Sequence, residues 1–542
     1  MLKNSKYSYI KIILLGAIAI AIALRIINLN SREFWYDEIL SLLLVTGQKS
    51  SYQNPSNIPV VLTNYQYLLS LPVEHNLSDV LHTGEKFLKG LVGEPHPPLF
   101  YIGQHLWLRL FGNSIAAMRS LSALYSVAAI ACAYGLGRKL LGYQGGLLLA
   151  ALLGLNPFYF FHSLNVRMYC SLVFWTILSG WAILELINPK PHKYRNIFWS
   201  VILIGSVAAG FMTFYYFAFW VATLGVLVLL QDRKSWLKHA GRLSTGIAIT
   251  VPWLLWGTRQ QLNNADLGRF AASGNLITTT LKHLQGVIQT LGIQIIIGDW
   301  ASIASPLILT ITGLIAIAIL IFCSLSLWRA NQRQILQTVL VLGIAPLLMM
   351  LAVDIVSGKF TLDFGMGRSA IFILPGCSLI LAAWITHATG KWQTIIVSVL
   401  LTTYLTINVA DLSSRSRWMF HQIADIIEQE SAQPTLIIMN SNAWGHVMRL
   451  AYYLPPESST MLLAQKPAKL IPALAKTLTA ETQYQRLLWL NSDRPVWGSP
   501  TTATQTEQIR KTLDKQFQLV KQQRLTGTWK LDHFTVNLYQ HR

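Results

Sequence analysis

Long apolar runs recur along most of the chain, and they constrain its fold more than any other feature. A bilayer-spanning helix needs roughly 17–25 apolar residues. Because backbone polar groups must be hydrogen-bonded internally in a bilayer, such runs form helices. The candidate spans are 10–27, 114–137, 143–163, 169–187, 197–212, 214–230, 243–257, 304–327, 335–353, 369–388 and 393–410. Only 12% of the 542 residues are charged and 53% are hydrophobic, so we predict a mainly α, polytopic membrane helix bundle with about eleven spans.

Basic residues between the runs set the predicted orientation. Short loops beside spans carry an excess of Lys and Arg on the cytoplasmic side, and 188–195 and 231–242 are loops of this kind. With these two loops placed inside and the spans alternating in direction, the N-terminus is cytoplasmic. Residues 28–113 then form one long outer segment of an inner (plasma) membrane protein. The basic loops 328–334 and 387–391 fall inside, as the rule requires. Much of the net charge of +20 lies in such loops, so the charge does not indicate nucleic-acid binding.

A second, smaller domain is predicted at the end of the chain. Residues 1–410 are assigned to a membrane-embedded domain, and 411–542 to a small extracytoplasmic α/β domain. The tail predicts helices at 417–431 and 504–517, and strands at 435–440, 486–491, 518–525 and 533–540.

One apolar segment in the outer region is too short for an ordinary span. Residues 98–111 contain His105 and Arg109 and are predicted to form an interfacial or half-inserted helix.

Four polar motifs stand out, and all four fall on the outer side under this topology. They are Glu33-Phe-Trp-Tyr-Asp37-Glu38, Glu94-Pro-His96-Pro-Pro, the turn ending in Arg167-Met-Tyr169, and Lys359 to Arg368. Each has an unremarkable explanation as well: an aromatic interfacial belt, a rigid proline turn, or a basic side chain that snorkels to the interface. Their convergence on one side favours a site at the outer membrane surface.

The residue types in these motifs suit sugar transfer from a lipid phosphate. A carboxylate near the attacking hydroxyl acts as general base, and Asp37, Glu38 and Glu94 supply carboxylates. Cationic groups stabilise a leaving phosphate as its charge develops. The predicted anion-binding residues are His96, Arg167, Lys359 and Arg368.

No metal site is predicted from the cysteines or histidines. Cys132, Cys170, Cys323 and Cys377 lie in or beside apolar runs and form no CxxC pair. The thirteen histidines include no HExxH spacing. We expect no cofactor, and a divalent cation stays an open alternative.

The acidic pair after the first span, the segment His96-Pro-Pro-Leu-Phe-Tyr101 and the Arg167-Met-Tyr169 turn together resemble the GT-C superfamily of integral-membrane glycosyltransferases. The branch that they resemble contains protein O-mannosyltransferases, aminoarabinose transferases and Rgt-type sugar transferases. This resemblance covers residues 10–190 best. It implies inverting transfer from a polyprenyl-phosphate sugar, with Asp37 as base and Glu38 beside it. Where family members often show Arg-Tyr, this chain has Arg368-Ser369.

Two other classes of function remain open on the sequence. A transporter or lipid flippase would show broken mid-membrane helices with ionisable groups, whereas the charges here lie at one surface. A non-catalytic scaffold would not require Asp37, His96 and Arg167 to converge. The acceptor is expected to be a lipid, a protein or a glycan.

Overall fold

The computed structural model describes residues 2–187, 193–263, 275–362, 365–415, 417–429, 433–455, 460–480, 484–496, 498–527 and 529–542. The chain divides into two compact units. The membrane unit comprises Met1–Leu29, Leu91–Gln104 and Arg119–Ser413. The α/β unit comprises Asn30–Gly90, His105–Met118 and Ser414–Arg542. The first long loop thus belongs to the same unit as the C-terminal region, whereas the sequence division at 410 placed that loop with the membrane part.

Helices make up the membrane unit. They are Leu2–Ile27, Ile115–Leu155, Pro157–Ser163, Tyr169–Ile187, Lys193–Phe211, Phe217–Gln231, Trp236–Trp253, Arg259–Gln261, Leu276–Gly292, Pro306–Arg329, Arg333–Ser357, Leu374–His387 and Gln393–Ser414. In the described part of the chain, eight helical segments are long and apolar enough to cross a membrane. The eleven predicted runs are largely helical, but the number of spanning helices is lower than eleven for three reasons. The helix Ile115–Leu155 includes most of two predicted runs, Phe217–Gln231 is too short to be counted, and Trp236–Trp253 is more polar than the others. The mainly α, multi-pass architecture is confirmed.

Glycine shapes the longest of these helices. Ile115–Leu155 consists of two arms that meet at Gly142, where a φ of 79° breaks the helix between the predicted spans. A Cβ on Gly137 would lie 2.9 Å from the Cα of Gly146, so the arms approach closely. Small residues permit such approach in membranes, where lipid is as apolar as the helix surfaces.

One helix of the membrane unit was not predicted. Leu276–Gly292, which continues into a π-helical turn at Ile293–Ile297, lies between two predicted spans. Its surface carries Lys282 and Gln285, both exposed, so its sequence is too polar to resemble a span. The helix packs against Pro306–Arg329, where a Cβ on Gly292 would lie 2.5 Å from a backbone nitrogen.

A six-stranded sheet forms the centre of the α/β unit. Its strands are β1 (Val60–Val61), β2 (Thr435–Met439), β3 (Thr460–Ala464), β4 (Arg486–Ser492), β5 (Phe517–Thr526) and β6 (His533–His541), in the order β1-β3-β2-β4-β6-β5. β2 pairs in parallel with β3 and β4, and the other pairs are antiparallel. β1 comes from the first loop and pairs with β3, so the sheet itself includes both parts of the unit.

The helices of this unit are Tyr36–Val45, Thr63–Gln66, Met419–Glu428, Trp444–Tyr453, Pro467–Ala480 and Ala503–Leu513, together with most of Leu77–Val92 and the second half of Leu99–Phe111. The predicted strands and helices of the tail are confirmed. β1, β3 and the helices Trp444–Tyr453 and Pro467–Ala480 were missed. Leu436, Ile438, Leu463, Leu474 and Trp489 are fully buried in the core.

Candidate active site

The predicted site residues are divided between the units. Asp37 and Glu38 belong to the α/β unit. The remaining predicted residues, all in the membrane unit, are Glu94, His96, Arg167, Tyr169, Lys359 and Arg368.

The acidic motif forms the start of the helix Tyr36–Val45. Trp35 is its N-cap, and the Glu38 carboxylate accepts a hydrogen bond of 3.0 Å from the Trp35 backbone N–H, one half of a capping box. Glu38 is fully buried in this role. The structure therefore gives Glu38 a structural role at the start of this helix.

Glu33 is also committed to a structural contact. Its buried carboxylate accepts hydrogen bonds from the backbone N–H of His421 at 2.7 Å and from His421 Nδ1 at 2.8 Å. Among Glu33, Asp37 and Glu38, only Asp37 is not buried. It sits in the first helical turn, where the positive end of the helix dipole stabilises a negative charge.

Aromatic residues enclose the same motif. Trp35 stacks on Trp529 at 5.2 Å, and Tyr36 packs edge-on against His446 at 5.6 Å. Burial raises the pKa of Tyr36 to about 12 and lowers that of His446 to about 4. Both side chains are therefore uncharged near neutral pH. Asp37, beside them in the sequence, is only half-buried.

Glu74 lies in an ion pair that the sequence did not predict. Arg109 donates two hydrogen bonds to the Glu74 carboxylate, at 2.7 and 2.9 Å, and lowers its pKa to about 2. Arg109 Nε also donates to His105 Nε2 at 3.0 Å. His105 Nδ1 therefore carries the proton and donates to the Val45 carbonyl at 2.6 Å. The ionisable residues of 98–111 thus stabilise the first loop.

Gln261 fixes the proline segment of the membrane unit. Its amide donates to the carbonyls of Leu91 and His96, each at 3.0 Å. The half-buried His96 ring stacks on Phe214 at 5.6 Å. Glu94 is also half-buried. Sequence reasoning identified His96 but not Gln261, which lies 165 residues away in the chain.

Two of the predicted arginines lie over tyrosine rings in the membrane unit. Arg167, which is 7% exposed, has its guanidinium carbon 6.0 Å from the ring centre of Tyr101. The Arg368 guanidinium lies 6.0 Å from the ring centre of Tyr169. Tyr169 is buried against His162 at 4.7 Å. The structure therefore brings Arg368 to the helix that begins two residues after Arg167.

A buried carboxylate orders the loop before Arg368. Asp354 accepts hydrogen bonds from Thr361 N, Thr361 Oγ1 and Leu362 N at 2.5–2.9 Å. Gly365 follows with a φ of +66°, and a Cβ there would lie 2.1 Å from Arg368 Nε. Asp354 was missed because it ends an apolar run. Lys359 is exposed to solvent, and residues 363–364 lie outside the described part of the chain.

A second missed residue connects this loop to the region of the turn that carries Arg167. Gln294 donates to the carbonyl of Gly367 at 2.8 Å and accepts at its own carbonyl from Asn156, also at 2.8 Å. Asn156 caps the short helix before the turn that carries Arg167. Among the residues with described positions, no three His, Cys, Asp or Glu side chains cluster as a metal site.

One comparison with known proteins agrees with the resemblance seen in the sequence. Residues 95–256 match the family model described as dolichyl-phosphate-mannose-protein mannosyltransferase. The segment contains His96, Arg167 and Tyr169. This match confirms the predicted resemblance to the GT-C superfamily of integral-membrane glycosyltransferases. No curated protein sequence is significantly similar to the chain.

Solved structures with an overall likeness share little sequence with this chain. The Archaeoglobus fulgidus oligosaccharyltransferase, solved with Zn and sulfate, is 12% identical, with 89% of this chain and 68% of that chain covered and a TM-score of 0.49. ArnT from Cupriavidus metallidurans bound to undecaprenyl phosphate is 12% identical, with 97% of each chain covered and a TM-score of 0.41.

Proposed function

We propose that this protein transfers a sugar, with inversion, from a polyprenyl-phosphate donor to a lipid, protein or glycan acceptor at the outer face of the inner membrane. The N-terminus is then cytoplasmic and the α/β unit extracytoplasmic. The single observation that carries the proposal is the distribution of roles in the acidic motif. Glu33 and Glu38 are buried and accept structural hydrogen bonds, while Asp37, in the first turn of the same helix as Glu38, is not buried.

In the proposed reaction, Asp37 acts as general base. Its carboxylate takes the proton of the acceptor hydroxyl as that oxygen forms a bond to the anomeric carbon. The bond between the anomeric carbon and the phosphate oxygen breaks, and both of its electrons leave with the polyprenyl phosphate. General base catalysis of this kind contributes about 10²–10⁴-fold.

The leaving phosphate gains negative charge as the bond breaks, and cationic groups stabilise it. We assign this role to Arg167 and Arg368, whose tyrosine neighbours limit their freedom. Tyr169 holds Arg368 in place, and His96 and Lys359 are additional donors to the phosphate. Glu94 is assigned to binding the sugar hydroxyls. The match of 95–256 to a family named for a lipid-phosphate sugar supports the part of this assignment that concerns His96, Arg167 and Tyr169.

The test is sugar transfer in proteoliposomes from a radiolabelled polyprenyl-phosphate sugar, with Asp37→Asn compared with wild type. We expect kcat to fall by about 10²-fold or more. Asp425→Asn is the matched control, because Asp425 is exposed on a helix of the same unit. Equal activity of Asp37→Asn and wild type would eliminate Asp37 as the base. Movement of labelled lipid between leaflets, without transfer to any acceptor, would instead indicate a transporter.

A further inference from the structure

The segment that precedes Asp37 is held from the far end of the chain. The Glu33 N–H donates to the Arg417 carbonyl at 3.2 Å, and the Glu33 carboxylate accepts from His421. The next residue is held at both backbone groups. The Phe34 N–H donates to Tyr453 Oη at 2.7 Å, and its carbonyl accepts from Arg449 at 3.4 Å.

Side chains continue this pattern up to the residue before Asp37. Trp35 stacks on Trp529. The Tyr36 ring lies against the backbone of Gly445, so closely that a Cβ on that glycine would be 2.5 Å from Tyr36 Cδ2. Every residue of 33–36 therefore contacts the C-terminal region, and all of these partners belong to the α/β unit.

The hydrogen bonds of this segment are buried, so they fix the position of its backbone. Glu33, Phe34 and Trp35 are each less than 10% exposed. A backbone N–H that is buried without a partner is costly, which ties the Phe34 N–H to the Tyr453 hydroxyl. Asp37 follows this fixed segment directly, as the second residue of the helix Tyr36–Val45, and Glu38 closes the capping box on Trp35. Little backbone freedom remains for Asp37.

We propose that the C-terminal region positions the general base: His421, Tyr453 and Arg449 are positioning residues that act on the reaction through Asp37. This inference rests on the proposed function and assigns a task to the C-terminal region of the α/β unit. Small displacements of a reacting group reduce rates strongly, by about 10²-fold for a shift of 1 Å. The positioning residues are therefore expected to act on kcat more than on KM.

The chain offers a closely matched pair of variants. Tyr453→Phe removes the hydroxyl that accepts from Phe34, whereas Tyr452→Phe removes a hydroxyl that donates to the Asn113 carbonyl at 3.0 Å. Both changes delete one oxygen from neighbouring tyrosines of the same unit. A second pair is His421→Ala and His421→Asn, since the asparagine amide can replace Nδ1 as donor to Glu33.

Sugar transfer by the full-length chain in proteoliposomes tests the inference. We expect Tyr453→Phe and His421→Ala to lower kcat roughly 10-fold or more, with little change in donor KM. Tyr452→Phe should leave kcat unchanged, and His421→Asn should recover most of the loss. In the Asp37→Asn background, Tyr453→Phe should cause no further loss. Independent losses in the double variant, or equal kcat for Tyr453→Phe and Tyr452→Phe, would overturn the inference.

Amide hydrogen exchange separates this inference from the proposed function. We expect faster exchange at residues 34–38 in Tyr453→Phe than in Tyr452→Phe, whether or not sugar is transferred. Unchanged exchange in Tyr453→Phe would overturn the positioning role by itself. A wild-type chain that transfers no sugar would overturn the proposed function, while the exchange result would still decide whether the C-terminal region orders the segment.

Discussion

Replacing Asp532 with alanine is expected to destabilise the α/β unit strongly, because the change leaves a buried cation without its counter-charge. Arg449 and Asp532 are 2% and 3% exposed, and Arg449 Nη1 donates to Asp532 Oδ2 at 3.1 Å. Removing one partner of a buried pair costs roughly 3–5 kcal/mol. The guanidinium keeps the Gly445 carbonyl at 3.2 Å and the Phe420 ring at 4.4 Å. We therefore expect the lower part of the range, about 3–4 kcal/mol.

The assay is thermal unfolding of the full-length protein in detergent, followed by tryptophan fluorescence. A unit of 150–250 residues loses roughly 2–4 °C in Tm per kcal/mol, so Asp532→Ala should lower Tm by about 6–16 °C. Arg524→Ala is the control, because it breaks an ion pair in which Arg524 is 65% exposed, worth less than about 1 kcal/mol. A double change, Arg449→Met with Asp532→Leu, should restore most of the stability. Equal Tm values for Asp532→Ala and Arg524→Ala would refute the reasoning.

Two further predictions concern the first loop and the arginine loop. Arg109 lowers the pKa of Glu74 from 4.5 to about 2. The stability that this carboxylate contributes is therefore present above pH 4.5 and is lost as pH falls from about 4.5 towards 2. In acid unfolding curves, Glu74→Gln should lose stability less steeply than wild type, and parallel curves would contradict this. Gly365→Ala should raise donor KM about tenfold, because the added Cβ would displace Arg368. Gly358→Ala is the control, since Gly358 has a similar φ of +61° but open space around its Cβ position, and it should change KM much less. Equal KM values for the two variants in transfer assays would contradict the displacement of Arg368.

The sequence was sufficient for the membrane helices because lipid leaves the backbone few options. The predicted apolar runs are largely helical, and the predicted spans 197–212 and 214–230 correspond to the separate helices Lys193–Phe211 and Phe217–Gln231. The helix Leu276–Gly292 was missed because its exposed polar residues lower the hydropathy of the segment. β3 was missed for a different reason. It has five residues, and a short apolar run does not distinguish a strand from a helix.

The site was predicted at the level of motifs but not of roles. Adjacent carboxylates at 37 and 38 look equivalent in the sequence, and only the capping geometry separates Glu38 from Asp37. The function of Glu33 depends on His421, which lies 388 residues later in the chain. Asp354 and Gln294 act on a loop through hydrogen bonds whose partners no local pattern identifies. Long-range contacts of this kind follow from the tertiary fold alone.

The long separation between the acidic motif and its partners has a consequence for how the molecule is made. Residues 33–36 are synthesised at the beginning, while His421, Arg449 and Tyr453 emerge in the last quarter of the chain. Until those residues have been made and have folded, the motif lacks the contacts that order it. A nascent or truncated chain can therefore insert its membrane helices without arranging its acidic motif. Ordering of the motif therefore requires that synthesis has passed Tyr453.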